Sequence, residues 1–95
     1  MEYITFMHGN VDGPPTNDEW ERFFELARRS GLFRGGSAIG ARTTVGEKDV
    51  PSVVDHIEGY MRFDADSLDE LRALLLQHPV VRNGGTIEIC ELPKT

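Results

Sequence analysis

The run His78-Pro79-Val80-Val81-Arg82-Asn83-Gly84-Gly85-Thr86-Ile87-Glu88-Ile89-Cys90-Glu91-Leu92-Pro93 joins a helix end, a glycine turn and a strand. Proline pushes the residue before it out of the helical region, so a helix that reaches His78 should stop there. Asn83-Gly84-Gly85 then reverses the chain, and Thr86 to Leu92 follows as a strand with Ile87 and Ile89 on one face. Upstream, Ser67-Leu68-Asp69-Glu70 has the spacing of a capping box, and Leu68, Leu71, Leu74 and Leu75 supply one apolar stripe, so this helix begins after Ser67. Before it, His56 to Asp64 alternates, with Ile57, Gly59, Met61 and Phe63 on one face and Glu58, Tyr60 and Arg62 on the other.

The first half of the chain repeats the pattern. Residues 2 to 8, Glu-Tyr-Ile-Thr-Phe-Met-His, are aromatic and β-branched and end at Gly9-Asn10, which predicts a first strand and then a loop to Pro15. Thr16-Asn17-Asp18-Glu19 is a second capping box, followed by Trp20, Phe23, Phe24 and Ala27 at helical spacing. Gly31 stops that helix, with Arg28 and Arg29 at the negative end of its dipole. Leu32 to about Thr44 reads as a second strand whose glycines, Gly35, Gly36 and Gly40, mark a bulge or a close contact. Val45 to Asp55 is an irregular connection.

The order βαββαβ is that of the ferredoxin-like α+β fold, with an antiparallel sheet in the order 4-1-3-2 and both helices on one face, as a single domain over residues 1–95. Ile4, Phe6, Met61, Phe63, Ile87 and Ile89 are expected under the helices. Tyr3, Thr5, Met7, Glu58, Tyr60, Arg62, Thr86, Glu88 and Cys90 are then expected on the uncovered face. A semi-apolar exposed face marks an interface, and a symmetric homodimer covers it most simply, with Tyr3, Met7, Tyr60, Arg62 and Glu88 in the contact.

The stretches Gly35-Gly36-Ser37-Ala38-Ile39-Gly40, Asp64-Ala65-Asp66-Ser67-Leu68-Asp69-Glu70, His78-Pro79-Val80-Val81 and Gly84-Gly85-Thr86-Ile87-Glu88-Ile89 resemble the YCII-related family, also called DGPF-domain proteins. The likeness spans nearly the whole chain. It implies a bacterial protein that forms a dimeric α+β barrel of ferredoxin-like protomers, similar in build to muconolactone isomerase and the small antibiotic-biosynthesis monooxygenases. A His–Asp dyad is attributed to some members, with the histidine on the first helix. The helix from Asn17 to Ser30 contains no histidine, so no catalytic role transfers.

Composition excludes several classes of function. With 39% hydrophobic and 27% charged residues the chain is an ordinary globular domain. A net charge of -6 opposes a nucleic-acid partner, which requires a basic face. No apolar run approaches the ~20 residues of a membrane span and the N-terminus lacks a signal peptide's basic start, so a cytoplasmic location is expected. The single cysteine forms no internal disulfide, and no Cys/His spacing suits zinc. The glycines lack both the dinucleotide and the phosphate-loop patterns, so no cofactor is expected.

The strand order gathers His8, the Asp12 loop, Asp55-His56 and Gly84-Gly85 at one sheet edge. Two histidines beside carboxylates suit general acid–base catalysis, which makes His8, His56 and Asp55 the candidate catalytic set. The plain alternative is that His8 closes the core and His56 sits in solvent. Phe6, Trp20, Phe24 and Asp12 are the candidate ligand-binding residues, on the reading that a pocket opens between sheet and helices. His78 is expected as a cation at a helix end, and Cys90 as a packing residue. Two functions fit this set: a cofactor-free isomerase, lyase or oxygenase acting on a small organic molecule, or a non-catalytic module that binds a metabolite or a protein.

Overall fold

One capping box, one serine N-cap and a proline set the helix boundaries seen in the computed structural model, which describes residues 1–48 and 50–94. Thr16 Oγ1 accepts the Glu19 N–H at 3.2 Å, and Glu19 returns a carboxylate oxygen to the Thr16 N–H at 3.1 Å. Helix α1, Asn17–Ser30, starts on that box and ends at Gly31, whose φ of 74° is the left-handed conformation that favours glycine. Helix α2, Leu68–Leu75, is capped by Ser67, whose Oγ accepts the Glu70 N–H at 3.1 Å, but the expected box does not close because the Glu70 carboxylate accepts the Asp66 N–H at 3.3 Å instead; the helix buries Leu71, Leu74 and Leu75.

Pro79 does more than end α2. It opens a third, short helix, α3 (Pro79–Arg82), that the sequence pattern did not reveal. Proline suits the first helical position because its missing N–H would be unpaired there, and His78, held extended before it, becomes the cap. His78 Nδ1 accepts the Val80 N–H at 3.0 Å.

Four strands complete the domain: β1 (Glu2–Met7), β2 (Phe33–Ala38), β3 (Gly59–Asp64) and β4 (Ile87–Leu92). They form one antiparallel sheet in the order β2-β3-β1-β4, the expected ferredoxin-like topology read from the other edge. β2 and β3 are shorter than their predicted spans, because the described residues between Ala38 and Gly59 carry little regular structure.

The side-chain parity of β1 corrects the sequence expectation. Tyr3 pairs with Phe63, Thr5 with Met61 and Met7 with Gly59, and residues directly opposite one another share a face. Tyr3 and Thr5, at 4% and 1% exposure, therefore lie in the core with Phe23, Ala27, Met61, Phe63 and Leu71. Ile4 and Phe6 point to the open face. The error arose because β1 is apolar at both parities, so hydrophobicity alone could not orient it. Two local fits decide the matter. Thr5 satisfies its hydroxyl by donating to the Met61 carbonyl at 3.0 Å, and Met7 occupies the space that any side chain at Gly59 would need. Tyr3 and Met7, expected at a dimer contact, are thus on the helix side.

His78 also differs from expectation. It is fully buried, with ring centroids 5.1 Å from Trp20 and 4.6 Å from Phe23. Burial pushes its pKa down to about 4, so it is a neutral core residue and no dipole-compensating cation.

Candidate functional site

The end of β1 and the start of β4 are locked together by Asn10, whose side-chain oxygen accepts the Thr86 N–H at 2.9 Å while its Nδ2 donates to Thr86 Oγ1 at 3.0 Å. The His8 N–H donates to the Thr86 carbonyl at 3.1 Å. Phe6 pairs with Glu88 in the ladder, so Glu88 is the diagonal neighbour of His8 on the open face. His8 Nε2 stands 2.6 Å from Glu88 Oε1.

On the other flank of β1, the Glu58 N–H donates to the Met7 carbonyl at 2.9 Å, which brings His56 alongside. The His8 and His56 ring centroids are 5.0 Å apart with a tilt of 52°. The structure therefore joins the two predicted histidines at one sheet edge. Asp55 does not complete the set: its carbonyl accepts from Arg42 at 3.3 Å, and its carboxylate makes no hydrogen bond or ion pair among the described residues. The carboxylate at His8 is Glu88, which the sequence reading had placed in the interface.

A wide groove of about 1210 Å³ opens beside this cluster, with His56, Glu88 and Phe6 on one wall and Ile39, Val53 and Val54 of the long connection on the other. Arg42 is its cation. That guanidinium donates to the carbonyls of both Asp55 and Ile57, the residues flanking His56, which holds the charge beside that histidine. Nothing in the sequence marked Arg42, since it lies in a segment read as strand.

The arrangement has clear chemical capacity. With Nε2 donating to Glu88, the His8 ring is oriented and its Nδ1 is left free to accept a proton. His56 is placed to handle a second proton, and Arg42 to attract negative charge on a ligand. The ligand-binding residues expected together are divided by the sheet. Phe6 lines the groove, Trp20 and Phe24 line a separate cavity on the helix side, and Asp12 lines neither. Asp12 donates its N–H to the Asn83 carbonyl at 2.8 Å, and its carboxylate packs against Gly84. Cys90 is half-buried, with Sγ 4.0 Å from Glu88 Oε2.

Among the described residues no cluster of three or more His, Cys, Asp or Glu suits a metal ion, and no helix is long and apolar enough to cross a membrane. No protein-family model and no curated protein matches the chain. Among solved structures it is similar to 5-chloro-2-hydroxyhydroquinone dehydrochlorinase from Burkholderia phenoliruptrix in complex with 2,5-dihydroxybenzoquinone. The identity is 16%, the TM-score 0.55, and the match covers 100% of this chain and 96% of that one. At that identity the likeness is one of fold, and it agrees with the α+β ferredoxin-like architecture.

Proposed function

We propose that this chain is a YCII-like protein that acts without a cofactor on a small organic molecule bound in the open-face groove, by general acid–base chemistry of the isomerase, lyase or oxygenase type. The observation that carries this reading is the 2.6 Å contact of His8 with Glu88 and the His56 ring 5.0 Å from that of His8, with Glu88 and His56 both lining an apolar groove. His8 takes a proton from the ligand, His56 returns one, and Arg42 steadies the negative charge that develops between the two steps. The structural neighbour's bound quinone suggests hydroxylated aromatics and quinones as the first compounds to try.

The working unit in this reading is a cytoplasmic homodimer, sheet against sheet. Ile4, Phe6, Tyr60, Arg62, Glu88 and Cys90 form the contact, with Ile4 and Phe6 replacing the Tyr3 and Met7 first expected. Ile4, Phe6, Tyr60 and Cys90 are half-buried in the single chain and offer a partner a semi-apolar surface. A sedimentation mass of one chain at micromolar concentration refutes the dimer.

The functional test is turnover of a hydroxyquinone and hydroquinone panel, followed by absorbance. His8→Ala and Glu88→Gln should each slow the reaction by about a hundredfold or more, the usual contribution of a positioned acid or base. If turnover survives both changes and His56→Ala, the catalytic reading falls. If the panel binds with no turnover at any pH from 5 to 9, the groove belongs to a binding module instead.

A further inference from the structure

The outer side of the helices carries a hollow of about 510 Å³ where α1 meets α3, and its walls come from the helices and the residues that flank them, not from the sheet. That volume lies within the range of about 300 to 1,000 Å³ typical of small-molecule sites. Glu19, Arg22, Phe23 and Leu26 recur at i, i+3, i+4 and i+7, so one stripe of α1 forms one wall. Pro79 and Arg82 of α3 form the other. Phe23 and Pro79 are buried and Leu26 is exposed, which gives the hollow an apolar floor beneath a charged rim.

The arginines of α1 differ in what they do. Arg29 pairs with Glu25 at 2.7 Å, and Arg28 lies 5.9 Å from the centre of the Phe24 ring. Among the described residues the guanidiniums of Arg22 and Arg82 make no hydrogen bond or ion pair, and both line this hollow. Glu19, the carboxylate on the same wall, is already engaged. Its Oε1 accepts the Thr16 N–H at 3.1 Å and its Oε2 accepts from Asn83 Nδ2 at 2.8 Å. The Thr16 N–H and the Asn83 amide hold it below the usual carboxylate range, with Arg82 adding attraction.

Charge narrows the occupant. Two guanidiniums against one carboxylate leave the walls with one positive charge in excess, on a chain whose net charge is -6. At physiological ionic strength charges more than about 8 Å away are largely screened, so the local excess decides. A dianion would overcompensate it and meet Glu19, whereas a single carboxylate balances it and matches the planar fork of a guanidinium. The apolar floor asks for a hydrocarbon body behind that carboxylate. We infer that this hollow is a binding site for a small monocarboxylate with an apolar body, the carboxylate held by Arg22 and Arg82 and the body resting on Leu26 and Pro79. The site stands apart from the open-face groove, with which it shares no lining residue, and does not depend on the acid–base reading.

The test titrates the full chain with 4-tert-butylbenzoate and, separately, with its uncharged analogue 4-tert-butylbenzamide, while methyl NMR follows the leucines and valines. Leu26 reports this hollow, and Val53 and Val54 report the groove that holds Arg42. Saturable shifts at Leu26 are expected with the benzoate, and the benzamide should bind there about tenfold more weakly, because it forms no charge-assisted hydrogen bond. Arg22→Gln and Arg82→Gln, both at exposed positions, should each weaken the affinity read at Leu26 by about fivefold or more with circular dichroism unchanged. Arg42→Gln should leave that affinity as it is. Shifts confined to Val53 and Val54, equal affinity for the benzamide, or an affinity at Leu26 untouched by both arginine changes would each overturn the assignment. If either variant fails to fold, the Leu26 shifts of the wild type and the ratio of the two affinities still decide it.

Discussion

The two faces of this sheet are built from similar residues and do opposite work. On the covered face Tyr3, Thr5, Met61 and Phe63 are almost wholly removed from water and hold α1 and α2. On the open face Ile4, Phe6 and Tyr60 have comparable bulk but remain half-exposed, and they share the surface with His8, Glu88 and Arg62. The difference comes from pairing. β1 offers an apolar set at either parity, and the register with β3 and β4 selects which becomes core. Composition of a strand thus tells less about its role than the identity of the residue directly across from it.

The most severe way to probe this contrast is to truncate one aromatic on each face. Phe63→Ala removes a side chain of 0% exposure and should cost about 3–5 kcal/mol in urea denaturation, the usual range for a large core residue. Phe6→Ala, on the open face, should cost less than half as much at protein concentrations low enough to keep the chain monomeric. Equal losses would mean that the open face is already packed within one chain.

Acid should act on the covered face through His78. Its folded pKa, about 4, lies below the ordinary histidine value of 6.5 expected in the unfolded chain, so the neutral ring contributes full stability above pH 6.5. That contribution is lost as pH falls toward 4, by up to about 3 kcal/mol for a shift of this size. Melting temperature measured from pH 7 to 4 should fall steeply in the wild type and less steeply in His78→Asn, which can still cap α3. Parallel curves would show that the histidine is protonated without strain in the fold.

A smaller effect tests parity itself. A Cβ at Gly59 would overlap Met7 Cε, so Gly59→Ala should cost about 1–3 kcal/mol as an overpacked site. Met7→Ala should remove most of that penalty when the two changes are combined. An additive double-mutant cycle would place the Met7 side chain away from Gly59 and reopen the orientation of β1.

Much of the architecture was legible because local chemistry and global order agree. Thr16 and Ser67 capped the predicted helices, Gly31 ended α1, and the turn before β4 fell at Asn83-Gly84-Gly85. The edge that gathers His8 and His56 followed from strand order alone. What escaped depended on register or on long-range packing. Glu88 could not be matched to His8 until β1 was oriented, and Arg42 owes its place to backbone carbonyls of Asp55 and Ile57. His78 looked like a helix-end cation because nothing nearby in sequence tells that Trp20 and Phe23 will close over it.

The Asn10 to Thr86 clamp has a consequence for how this protein fails. The residues it joins are 76 apart in the chain, and His8 and Glu88 are 80 apart, so the cluster exists only while β4 is docked on β1. Contacts of such long sequence separation form at high entropic cost and disappear together when an edge strand peels away. Local unfolding of β4, well short of melting the helices, is enough to disassemble the cluster, and the His8–Glu88 contact should be lost before helical signal is when the protein is stressed.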